Sequence, residues 1–234
     1  MITIAHTIEK IIEANPSYGE ALALDIVNFS SLARRIRPEI EEMLLEPVTE
    51  GAVVMALRRH ADLLLKKFPV REQLHHVRNI SVRSEITEVA FVTSPHMSKI
   101  HQQLLKVAEQ YDNPFFSFGQ GTGETTFDIS DVLVPHLLKL AAGEKKIALF
   151  KNLAVISARL PLDTVTVPGV YFPFVRTFAW NKINVYQIIS YFTEINFVID
   201  EKDIERAFAI VKGLAKRAEK PAGTLRAVGA WKNV

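Results

Sequence analysis

The stretch LAVISARLPLDTVTVPGV, Leu153–Val170, decides how this chain reads. Its first eight residues have the β-branched and small apolar composition of a strand, PLDTVT is turn-forming, and the Pro168-Gly169 pair closes the loop before an aromatic-rich run. Working outward, residues from about Tyr171 to Ile183 read as helix, and VYQIISYF and EINFVID as two strands with Thr193 between them and Glu194 at the start of the second. EKDIERAFAIVKGLAKR then reads as a helix, with Ile204, Ala207, Phe208, Val211 and Leu214 on one stripe and Asp200 placed to cap it. Pro173 cannot donate an N–H, so the first helix should start a residue or two after Val170.

The same order of elements occurs just upstream. TEVAFVTS is a strand, HMSKIHQQLLKVAEQY a helix with Met97, Ile100, Leu104, Val107 and Tyr111 on one face, and PFFSFGQGTGETTFDIS a hairpin. DVLVPHLLKLAAG is a second helix and KKIALFK a strand. A β-α-β-β-α order used twice matches the ferredoxin-like split β-α-β arrangement, an antiparallel sheet with its helices on one face. The fold class expected is α+β: a small helical domain over residues 1–70, two ferredoxin-like units over 80–151 and 152–218, and a tail over 219–234. The run Gly119 to Glu124 lacks the Gly-Lys-Ser/Thr of a phosphate loop and lies between strand signals, so it reads as a hairpin turn.

The loop after Leu160 has the chemistry of an anion site. Gly169 lets the backbone approach a carboxylate, and the helix start beyond it offers N–H groups and a positive dipole end. Asp163 suits a ligand ammonium and the Asn184 amide both donates and accepts, although solvated loop or capping roles fit these two, Thr193 and Glu194 equally well. Residues 153–217 resemble the ACT domain, and most closely the regulatory ACT repeats of aspartokinases. The resemblance rests on the Pro-Gly-Val turn (Val167, Pro168, Gly169, Val170), the Ile-Asn-Val segment (Ile183, Asn184, Val185), and the ISYFTEINFVID hairpin with its acidic helix start. It implies an amino-acid effector held between ACT domains by the Pro-Gly turn and the Ile-Asn-Val segment, with Thr193 and Glu194 nearby. Residues 80–151 share only the element order, since their TSPHMS turn lacks the Pro-Gly pair. The 80 residues ahead of the repeats are too few for an aspartokinase catalytic region.

Residues 1 to about 67 are patterned for helices. Ile4, Ile8, Ile11 and Ile12 line one face up to Asn15-Pro16; YGEALALDIVNFSSLARRI and PEIEEMLLE read as helical runs with Pro38 breaking or restarting the helix between them; Thr49 caps a helix on which Val53, Val54, Leu57 and Leu64 align. The pair of helices around Leu45-Glu46-Pro47 reads either as a docking or dimerisation module or as a helix-turn-helix. In the second case Arg34, Arg35, Arg58 and Arg59 would contact nucleic acid. Residues 1–80 hold ten Lys/Arg against eleven Asp/Glu, which provides no net basic field to draw DNA.

Composition narrows the rest. With no cysteine there is no disulfide, thiolate nucleophile or thiolate zinc site. His75 and His76 are adjacent, and His96 and His101 sit five apart on a helix, so no metal is expected. No catalytic constellation and no cofactor motif is present. No stretch approaches 18 uncharged apolar residues, so a cytoplasmic protein with no membrane association is expected. The sequence therefore points to a non-catalytic regulatory protein that binds a small effector, an amino acid, and forms a homodimer, with a ligand-responsive DNA-binding regulator or an allosteric subunit of an amino-acid biosynthetic enzyme as alternatives.

Overall fold

A computed structural model describes residues 3–64 and 77–219, without the side chains of 216–219. The chain divides into two compact units, Met1–Arg71 and Glu72–Val234.

The first unit is helical: α1 (Ile4–Ala14), α2 (Pro16–Ala23), α3 (Phe29–Leu44) and α4 (Glu50–Leu64). Each helix turns one apolar face inward, so that Ile8, Ile11 and Ile12 meet Leu22, Ala33, Ile36, Ile40, Val53 and Leu57 in one core. Thr3 caps α1 by accepting from the His6 N–H, Asn28 caps α3 by accepting from Ser31, and the Thr49 hydroxyl accepts from Ala52 at the head of α4. Two expectations need correction. YGEALALDIVNFSSLARRI is not one run, because Asp25 adopts a left-handed φ of 53° and Asn28 starts a new helix. Pro38 does not break α3, which continues through it. The turns flanking the proline are held by Ile36 and Ile40, both fully buried, and that packing outweighs the lost backbone bond.

The second unit is one six-stranded antiparallel sheet with helices. Its elements are β1 (Arg78–Val92), α5 (Met97–Ala108), β2 (Phe116–Gln120), β3 (Glu124–Ser130), α6 (Val134–Leu140), β4 (Lys146–Arg159), α7 (Phe172–Trp180), β5 (Val185–Tyr191), β6 (Glu194–Asp200) and α8 (Ile204–Glu219). The strand order is β2-β3-β1-β4-β6-β5. KKIALFK and LAVISARL, read from sequence as two strands, are the halves of β4, so a cut at residue 151 falls within one strand. The break in alternation that separates them is Asn152, which adopts a left-handed φ of 57° without ending the pairing. β1 is equally long. Its second half pairs with Lys146–Phe150 and its first half with Val155–Arg159.

The halves have separate cores. Val89, Phe91, Phe127 and Ile129 pack under α5 and α6 with Met97, Ile100, Leu104 and Leu137. Ile156, Ala158, Ile195, Phe197 and Ile199 pack under α7 and α8 with Phe174, Phe178, Ala207 and Val211. Because side chains alternate along a strand, Ile86, Leu153, Val155 and Val198 face the other way and form a third cluster. Asn196 is buried on that face and accepts from the Ser157 hydroxyl across the β4–β6 pair. The Asp200 carboxylate accepts from the Lys202 N–H, capping the single 3-10 turn Glu201–Asp203 that leads into α8.

Candidate functional site

The loop between β4 and α7 carries most of the residues singled out from sequence. It leaves the sheet where the Leu160 N–H donates to the Thr193 carbonyl at 2.7 Å, so the loop starts beside the β5–β6 turn. A 3-10 turn, Leu162–Thr166, follows. Thr164 is its buried anchor, its hydroxyl donating to the Pro161 carbonyl, which leaves Asp163 exposed. Pro168 and Gly169 are exposed, Gly169 has φ +78°, and Val170 turns back against the core. The left-handed backbone is why a glycine stands here.

Helix α7 begins at Phe172, with Pro173 in its first turn, as the missing proline N–H requires. Phe174 and Phe178 seat it on Phe197, with ring centroids 5.5 and 5.0 Å apart. The Tyr171 hydroxyl lies 2.7 Å from the Ser190 hydroxyl near the end of β5. That contact fixes the start of α7 over the same end of the sheet as Thr193. Sequence placed Tyr171 in the aromatic-rich run after Gly169 and did not single out Ser190, whose partner lies 19 residues away.

At the far end of α7, Lys182 takes a left-handed φ of 57°. The Ile183 N–H donates to the Phe178 carbonyl at 2.9 Å and the Lys182 N–H to Ala179 at 3.0 Å. This is a Schellman ending, with Ile183 packed beside Phe178 in the core. Asn184 is exposed beyond it, and Val185 opens β5 opposite Ile199. Tyr191 lies opposite Glu194 at the other end of β5. Six strand steps of about 3.3 Å separate the two ends by roughly 20 Å. The structure therefore brings Asp163, Val167, Pro168, Gly169 and Val170 to the end that holds Thr193 and Glu194, and leaves Asn184 and Val185 at the other.

No family model and no curated protein matches the chain. Solved structures do match. The aspartate kinase of Clostridium acetobutylicum aligns at TM-score 0.50 and 14% identity, over 61% of this chain and 35% of that one. The aspartate kinase of Synechocystis aligns at TM-score 0.50 and 18% identity, over 64% of this chain and 28% of that one. The fold resembles the ACT-type regulatory part of aspartate kinases. The ligand-free regulatory subunit of Thermus thermophilus aspartate kinase also matches, at TM-score 0.47 and 16% identity, over 59% of this chain and 97% of that one. This chain thus spans about a third of the length of the aspartate kinases it matches.

Outside the sheet unit, all four arginines proposed to meet nucleic acid are on the surface of the helical unit, and three have partners. Arg34 pairs with Glu50 at 3.0 Å, Arg35 donates to the Tyr18 hydroxyl at 2.6 Å, and Arg58 lies over the Phe29 ring. Arg59 lines a cavity of about 580 Å³ with Thr3, Ala52, Met55 and Leu63. His96 is 3.1 Å from Glu144, and the His101 ring stacks on Phe118 with centroids 4.2 Å apart. Among the described residues no group of three or more His, Asp or Glu is placed to hold a metal, and His75 and His76 lie outside them. Among the described residues no helix is long and apolar enough to cross a membrane.

Proposed function

We propose that this protein is a non-catalytic regulator that binds a small effector, an amino acid, at the loop before α7. The observation that carries the reading is the left-handed turn at exposed Gly169, set at the head of α7 in the loop that leaves the sheet at the Leu160–Thr193 hydrogen bond. The Phe172 N–H is taken by the Gly169 carbonyl and Pro173 has none, so a carboxylate would use the N–H groups of Gly169, Val170 and Tyr171. Asp163 in the same loop and Glu194 at the start of β6 are exposed acids that would receive an ammonium group. The likeness to aspartate kinases supports the shape and, by fold analogy alone, a regulatory role.

In this reading, residues 86–150 form one ferredoxin-like unit and residues 153–219 a second, which takes its fourth strand from residues 78–83. The separation of Asn184 from Gly169 within one chain supports a site completed between two copies, with Asn184 supplied by the other. Trp180, 87% exposed, and exposed Phe172 and Val175 give α7 an apolar outer surface that fits such a homodimer. The helical unit then serves as a docking module, toward an enzyme or its own copy. Partnered Arg34, Arg35 and Arg58 weigh against DNA as its target.

A thermal-shift screen of the twenty amino acids tests the proposal. A true effector at about 100 times its Kd stabilises the fold by about 2.7 kcal/mol, a shift of a few degrees. Asp163→Ala and Asn184→Ala should each reduce the shift. If neither variant changes a shift that wild type shows, the effector binds elsewhere.

A further inference from the structure

The face of the sheet turned away from the helices carries two acids that neither the loop nor the effector reading uses. Glu88 on β1 lies directly opposite Asp128 on β3, and both are buried, at 9% and 1% exposure. Alternation puts them on one face, since the intervening Val89 and Phe127 point to α5 and α6. Cross-strand pairing sets the two side chains next to each other, and one oxygen of each, Glu88 Oε2 and Asp128 Oδ1, is buried without a hydrogen-bond partner. Two bare carboxylates in this contact, without water or a cation, would repel strongly, and a proton between them supplies the donor that two acceptors lack.

Among the described residues, those paired with Glu88 and Asp128 on the neighbouring strands offer no substitute. Ser117 on β2 faces Asp128 and Phe150 on β4 faces Glu88, and neither is charged. Ala90 and Ile86 flank Glu88 on its own strand. Of the charged residues on β1 and β4 and just after β3, Arg83 donates to the Asn113 carbonyl, Asp131 accepts from the Thr87 hydroxyl, and Lys146 sits opposite Phe91 at the end of the pairing.

We propose that Glu88 and Asp128 share one proton in the folded protein, and that its loss loosens the β2–β3 edge of the sheet, making this half of the ACT-type unit a pH-responsive element. Burial first, and the Glu88 charge second, push Asp128 up to about 8, and burial raises Glu88 as well. Since the folded value lies above the unfolded one, the stabilisation is full at low pH and is lost as pH rises through about 8. The proton belongs to the pair rather than to either residue.

The test is a carbon-13 NMR titration of the Asp128 carboxyl in the full chain, together with hydrogen-exchange protection at Ser117 and Phe127. The expected midpoint is near pH 8. Glu88→Gln should lower it by at least about one unit, a tenfold drop in proton affinity. Protection at the two amides should fall across the same midpoint in wild type and stay level in Asp128→Asn. A wild-type midpoint in the ordinary carboxylate range overturns the shared proton, and that titration decides the matter even if neither variant folds. Protection that falls equally in Asp128→Asn overturns the loosening.

Discussion

Ile86 and Leu153 lie directly opposite each other at the centre of the sheet, both buried, and each has a left-handed residue as its neighbour: Glu85 at φ 58° and Asn152 at φ 57°. From Arg83 to Ile86 β1 advances three residues while β4 moves two, and from Ile86 to Glu88 β4 moves three while β1 advances two. The two bulges cancel, so the register shift on one side of the pair is undone on the other. This lets two long strands bend at their crossing and serve both halves of the sheet.

Truncating either member of that pair should therefore weaken both halves together. Leu153→Ala or Ile86→Ala is expected to cost about 2–5 kcal/mol, for lost burial and the cavity left behind. Chemical denaturation read by tryptophan fluorescence and by circular dichroism should show one shifted transition in the sheet unit. Independent melting of the halves would contradict the shared-strand architecture.

The bulge residues are strained to different degrees. An L side chain in the left-handed region costs about 1–2 kcal/mol, and asparagine tolerates it better than glutamate. Glu85→Gly should stabilise by up to about 1 kcal/mol, whereas Asn152→Gly should be near neutral. Melting temperatures of the two variants, compared in one buffer, rank them.

Lys182 closes α7 at a position that glycine usually fills. Lys182→Gly should stabilise by about 1 kcal/mol without moving Asn184, because the two capping hydrogen bonds use only backbone. Ile183→Ala, which removes the packing beside Phe178, should destabilise by about 2–4 kcal/mol. Equilibrium urea unfolding separates the two signs.

Local pattern made much of the fold readable. EINFVID coincides with β6, and the core stripe of α5 holds Met97, Ile100 and Leu104 as the three- and four-residue spacing required. What failed was set by distant residues. Asn152 looks like the end of a strand, and only the bulge at Glu85 on the facing strand lets pairing run through it. Pro38 looks like a helix stop, and only the core around Ile36 and Ile40 overrides it. The site was legible at Gly169 because a left-handed turn demands a particular residue. The Tyr171–Ser190 contact and the Glu88–Asp128 pair were not, because the first joins a helix start to a strand 19 positions away and the second joins two paired strands 40 positions apart, and no local spacing reveals either.

Isothermal titration calorimetry of the full chain with each of the twenty amino acids tests the central claim most directly. The account predicts saturable heat from at least one, lost or weakened at least about tenfold in Gly169→Val, whose side chain disfavours the left-handed turn. Heat from none of them, or a wild-type affinity retained in Gly169→Val, would contradict it.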